Sequence, residues 1–117
     1  KTLGAAYVAG VNATFAPTTD AYDQAPRLVA AYQPMYPVSR LMSGIEGACG
    51  IRFRINAAGR TTAHEIVAPE DGQPAGDKKM CAHAIIAMRA WEFVPAMRDG
   101  VPVEYPDTIQ LRFDYRF

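Results

Sequence analysis

Between Cys49 and Asn56 apolar and polar residues alternate without a break. Cys49, Ile51, Phe53 and Ile55 fall on one side, and Gly50, Arg52, Arg54 and Asn56 fall on the other. A period of two excludes helix and marks a strand in a sheet with one buried and one wet face. Ala57-Ala58-Gly59 then supplies a hairpin turn, with Gly59 taking positive φ. A second strand follows from Arg60 to about Ala68. Thr62, His64 and Ile66 alternate there against Thr61, Ala63, Glu65 and Val67, and the sequence leaves open which of these faces is buried.

The remaining elements are placed around this hairpin. Pro69 to Gly76 is a loop, Asp77 is an N-cap, and a helix runs from Lys78 to about Ala90. Met80, Ala84, Ala87, Met88 and Trp91 form a stripe at helical spacing, bordered by Cys81, that packs on the sheet. Trp91 and Phe93 read as core residues bridging the helix end and the sheet. Pro95 ends any helix and Asp99-Gly100 is a turn. In a last strand, Thr108 to Arg116, Ile109, Leu111, Phe113 and Tyr115 face in, while Gln110, Arg112, Asp114 and Arg116 face out. Upstream, Gln33-Pro34-Met35-Tyr36-Pro37 cannot be helical, because each proline pushes its predecessor to extended backbone. Val38 to Ser43 then forms a short helix stopped by Gly44. In residues 1–33, Tyr7, Ala9, Val11, Ala13 and Phe15 show a weak alternation, broken by Pro17-Thr18-Thr19-Asp20 and Asp23-Gln24-Ala25-Pro26. This predicts an extended arm or linker over residues 1–25 and a domain over residues 26–117. Asn12-Ala13-Thr14 matches a glycosylation sequon, a pattern common by chance.

The order short helix, strand, strand, helix, strand predicts an α+β fold. Its two layers are a three-stranded antiparallel sheet and one long helix packed on one face. The last strand lies beside the first, so the second and last strands form the edges. Pro69 cuts the second strand short, whereas the last is long, flat and free of interior proline or glycine. An edge of that kind accepts an extended peptide through its backbone, with outward side chains choosing among peptides. The residues expected to bind are Thr108, Ile109, Gln110, Leu111, Arg112, Phe113 and Asp114, with Gln110 and Arg112 as selectors.

Composition narrows the function classes. The 117 residues suffice for one domain, and 50% apolar content suffices for a modest core. Twelve acidic and twelve basic side chains give zero net charge, which argues against a nucleic-acid partner held by bulk electrostatics. No apolar run reaches the roughly 20 residues of a membrane-spanning helix. No signal peptide is visible, and a start at Lys1 is what a mature form or an excised fragment would show. With two histidines, no nucleophile elbow, no phosphate loop and no convincing carboxylate pair, the chain reads as a non-enzyme without cofactor or metal. Cys49 and Cys81 both project toward the helix–sheet layer, either as two buried thiols or as a disulfide.

Taken together, these pieces resemble the TonB C-terminal domain family. The resemblance rests on Tyr36-Pro37, Gly44-Ile45-Glu46-Gly47 opening a strand, Gly59-Arg60 at the hairpin, Ala87 through Ala96, and Gly100-Val101-Pro102-Val103, in this order and spacing over roughly residues 26–117. It implies a periplasmic domain that binds the TonB-box peptide of outer-membrane receptors, added as a strand to the last strand, in the service of siderophore and other nutrient uptake. It also implies receptor contact by the segment holding Gln33, Met35, Tyr36 and Pro37. Inner-membrane motor proteins would be reached only through parts that this sequence does not contain. Cys49 and Cys81 depart from the family pattern, which usually has an aliphatic residue at the first position and a polar one at the second. Residues 1–25 have no counterpart in it. The alternative reading is a stand-alone secreted module of the same type without energy coupling. Exposed strand edges further predict strand-exchanged homodimers.

Overall fold

The computed structural model describes residues 3–33, 47–68 and 78–115. In chain order these form α1 (Ala5–Asn12), β1 (Arg27–Ala30), β2 (Gly47–Ile55), β3 (Thr61–Val67), α2 (Lys78–Arg89), β4 (Glu92–Val94), β5 (Ala96–Arg98), β6 (Val101–Val103) and β7 (Ile109–Tyr115). The short helix expected at 38–43, the loop at 69–76 and the Asp77 cap lie outside the described residues.

The main sheet has the order β3-β2-β7, antiparallel throughout, with Ile51 of β2 opposite Ile66 on one side and Leu111 on the other. The alternation that marked β2 is physically realised: Cys49, Ile51, Phe53 and Ile55 are each at most 1% exposed. α2 lays Met80, Cys81, Ala84 and Met88 over that face, and all four are buried. Each large apolar side chain so removed from water contributes roughly 1.5–3 kcal/mol. The α+β, two-layer architecture expected from the sequence is thus present. A disulfide joins Cys49 on β2 to Cys81 in the first turn of α2, with the Cα atoms 5.5 Å apart.

Asn56 builds the β2–β3 hairpin. Its side-chain oxygen accepts from the N–H groups of Ala58 and Arg60, and its backbone N–H donates to the Arg60 carbonyl. Gly59 sits at φ +78°, and a Cβ there would collide with the Phe93 carbonyl oxygen, so only glycine fits. The Gly59 carbonyl in turn accepts from Phe93 N–H at 2.9 Å, tying the hairpin to β4.

β3 explains why its buried face was ambiguous. Arg52 pairs with Glu65 but Arg54 pairs with Thr62, so β3 carries one extra residue, and Ala63 there has φ +52°. A bulge reverses the alternation midway along the strand. Thr61 and His64 therefore share the helix side, bonded to each other at 2.7 Å.

The N-terminal segment departs from the expected extended arm. Residues 5–12 form a helix, and Val11, Phe15, Tyr22 and Leu28 enter the main buried cluster. Alanines at positions 5, 6 and 9 favour helix, but eight residues are too few to be stable alone, so packing decides the outcome. Asn12 closes the unit from its last position: its amide accepts from Leu28 N–H at 2.7 Å and donates to Leu28 C=O at 3.3 Å. The amide of the sequon match thus substitutes for a neighbouring strand along β1.

Two short ribbons also go beyond the predicted element order. β1 pairs antiparallel with β4, and β5 pairs with β6 across Asp99 and Gly100. Both turn residues have positive φ, as a two-residue hairpin of the favoured hand requires. Strands of three or four residues carry too little alternation to be read from sequence.

Candidate functional site

Among the described residues β7 is one of the two edges of the main sheet, opposite β3, and the hydrogen bonds around β2 establish which of its backbone groups face outward. Asn56 bonds to Arg60 on the β3 side, while the Ile55 carbonyl accepts from Tyr105 N–H on the β7 side. Backbone direction alternates along a strand, so Ile55, Phe53, Ile51 and Cys49 bond toward β7. The register Cys49↔Phe113, Ile51↔Leu111 and Phe53↔Ile109 then turns the N–H and C=O groups of Ile109, Leu111 and Phe113 into the sheet. Those of Gln110, Arg112 and Asp114 point away from β2. Along β7, therefore, the backbone groups of the odd positions bond to β2, and those of the even positions are directed away from it.

The side chains follow the same division. Ile109 and Phe113 are buried, and Leu111 is half-buried against the core. Gln110 and Arg112 are half-buried, and Thr108 is exposed just ahead of the strand. On the wet face beside Gln110, Arg52 bonds Glu65 at 3.1 Å, and Arg54 bonds Glu104 at 3.2 Å. Both pairs are solvent-accessible and hold side chains in place more than they stabilise the fold. Of the segment expected to contact a receptor, Gln33 is exposed and shares an apolar pocket of about 320 Å³ with Tyr32, His83, Ile86, Ala87 and Ala90. Met35, Tyr36 and Pro37 lie outside the described residues.

Sequence reasoning missed the neighbour of β7 on the buried side. One face of α1, with Tyr7, Gly10 and Val11, and Thr14 in the turn that follows it, border a groove of about 220 Å³ whose other wall is Leu111 and Arg112. The Tyr7 ring stacks on Phe113 at 6.4 Å and meets Trp91 edge-on at 6.1 Å. Burial pushes the Tyr7 hydroxyl up to about 12, and it has no hydrogen-bond partner among the described residues. The i, i+3, i+4, i+7 spacing of those four residues was the available signal, masked by the competing period of two.

Among the described residues no three of His, Cys, Asp and Glu converge to hold a metal. His64 is engaged structurally. The Thr61 hydroxyl donates its only proton to Met88 C=O at 2.8 Å, so it accepts from His64 Nε2–H. Burial, followed by the nearby Arg89 charge, lowers the His64 pKa and favours this neutral ring. The imidazole couples the bulge of β3 to the C-terminal turn of α2.

The family model described as "Gram-negative bacterial TonB protein C-terminal" matches residues 32–117. The chain belongs to the TonB C-terminal family. A curated relative, Protein TonB of Vibrio cholerae serotype O1, is 32% identical over 89 residues, covering 75% of this chain and 34% of the relative. The chain thus spans about a third of that TonB's length. The solution structure of the Pseudomonas aeruginosa TonB C-terminal domain superposes with a TM-score of 0.62 at 21% identity, covering 79% of this chain and 86% of that one. At that identity the likeness speaks for the fold. Residues 3–31, with α1 and β1, precede the segment matched by the TonB family model, whereas β4, the partner of β1, lies within it.

Proposed function

We propose that this domain is the periplasmic receptor-binding end of a TonB-type energy transducer, capturing the TonB-box peptide of an outer-membrane receptor as a strand added to β7. The observation that carries the reading is the end position of β7 in the sheet, with the backbone of Gln110 directed away from β2. Family membership supplies the class of partner. Strand addition suits a pulling device. Each backbone hydrogen bond contributes only about 1 kcal/mol net, but a peptide drawn along the strand loads all of them together.

The test separates the two kinds of residue on β7. Gln110→Pro deletes an outward N–H, and an edge strand tolerates proline when that N–H faces outward. Leu111→Pro would instead break the β2–β7 ladder and unfold the sheet. Anisotropy titration with a labelled TonB-box peptide should show Gln110→Pro binding at least about tenfold more weakly while keeping a native circular dichroism spectrum. Wild-type affinity in folded Gln110→Pro would refute strand addition at this edge.

A second reading, a secreted TonB-like interaction module without energy coupling, draws on one observation. Residues 3–31 pack into the core instead of forming an extended spacer. Fractionation of the native protein from its own cells separates the two: an inner-membrane species supports the transducer, and a soluble periplasmic species supports the module.

A further inference from the structure

The groove between α1 and β7 lies where an added strand would project its side chains. Strands in a sheet are about 4.8 Å apart, and residues on one face of a neighbour sit side by side. A peptide residue placed beside Leu111, on the same face, therefore points toward α1. It meets there the cleft of about 220 Å³ bordered by Tyr7, Gly10, Val11 and Thr14. That is the volume of roughly seven liquid waters, enough for a single aliphatic side chain. At Gly10 no atom lies within 4 Å of where a Cβ would be, so the helix is open at this point. The far wall is rigid, since the Tyr7 ring is held between Trp91 and Phe113. α1 also lies outside the residues matched by the family model, so this wall is an addition to the shared domain.

We propose that α1 supplies a side-chain pocket to the β7 edge, selecting extended peptides that carry an aliphatic residue beside Leu111. The inference rests on the strand-addition reading. The backbone edge provides sequence-blind affinity, and the α1 pocket provides discrimination at one position of the bound strand.

Gly10→Leu tests this by filling the pocket. A Cβ at Gly10 meets no neighbour, and leucine is a better helix former than glycine, so a native circular dichroism spectrum is expected. Random nonapeptides displayed on phage are selected on wild type, Gly10→Leu and Gln110→Pro. Wild type should enrich peptides with an aliphatic residue at one fixed position, and Gly10→Leu should enrich glycine or alanine there. A peptide selected on wild type should bind Gly10→Leu about tenfold more weakly, and replacing its aliphatic residue by alanine should remove the difference. An identical consensus from wild type and Gly10→Leu overturns the pocket, while loss of these binders on Gln110→Pro shows that strand addition still stands. Binders selected equally on Gln110→Pro would overturn strand addition itself, and the pocket with it.

Discussion

Reducing the Cys49–Cys81 disulfide should cost a large fraction of the stability of a domain of this size. The bond spans 32 residues of chain and pins the first turn of α2 to the central strand, with both cysteines at most 1% exposed. In the chain-entropy treatment, closing a loop of that length removes about 12 cal/mol/K from the unfolded ensemble, or about 3.7 kcal/mol at 25 °C. Small domains are stable by only about 5–15 kcal/mol, so the loss is a large fraction of the whole. With a urea dependence of about 1–3 kcal/mol per molar, the unfolding midpoint should fall by about 2 M. The assay is a pair of urea titrations, oxidised and in reductant, followed by the fluorescence of Trp91, the only tryptophan and fully buried. Alkylation and intact mass confirm two free thiols in the reduced sample. Because reduction leaves both sulfur atoms in the core, no cavity term enters, and the shift isolates the cross-link. An unchanged midpoint in protein verified as reduced would refute the argument.

Gly59→Ala should destabilise by about 2–4 kcal/mol, because alanine is penalised at φ +78° and its methyl meets the Phe93 carbonyl; urea unfolding measures it, and a loss under about 1 kcal/mol would contradict the geometry. His64 makes stability fall in acid. Its folded pKa lies below the unfolded value of about 6.5, so the unfolded chain binds more protons as pH drops, and stability present above pH 6.5 is lost on the way down. Thermal midpoints from pH 7.5 to 5 should decline, and His64→Gln should flatten the curve relative to wild type.

The legible part of the fold was the part governed by one period at a time. β2 buries its whole apolar set, and α2 buries Met80, Ala84, Met88 and its follower Trp91, because each obeys a single periodicity along its length. β3 was legible as a strand but not as to its face. The bulge at Ala63 changes the phase of the alternation, and no residue type there announces positive φ. The short ribbons escaped because their stability comes from neighbours. β4 is held by β1 and by the Gly59 carbonyl, contacts that are remote in sequence. For the candidate site, residues of β7 could be named from pattern alone. That the backbone groups of Gln110 point away from β2 and those of Leu111 toward it required knowing the register with β2.

α1 went unread for a more instructive reason, and it alters how the domain should be understood. Its eight residues are apolar on nearly every side, so period two and period 3.6 both find matches, and only the tertiary context chooses. That context is the aromatic end of the core. Phe15 meets Phe93 at 6.3 Å and Tyr105 at 5.2 Å, Tyr22 lies 5.6 Å from Tyr105, and the Trp91 indole donates to Tyr32 C=O at 2.9 Å. These partners come from the segment that the family model matches, whereas Phe15 and Tyr22 come from the segment before it. Without the N-terminal residues, Phe93 and Tyr105 would lose the rings that cover them, and β4 would lose its ladder partner. The addition is therefore part of the hydrophobic core, and its placement against Phe113 brings a helix to the strand edge proposed to bind.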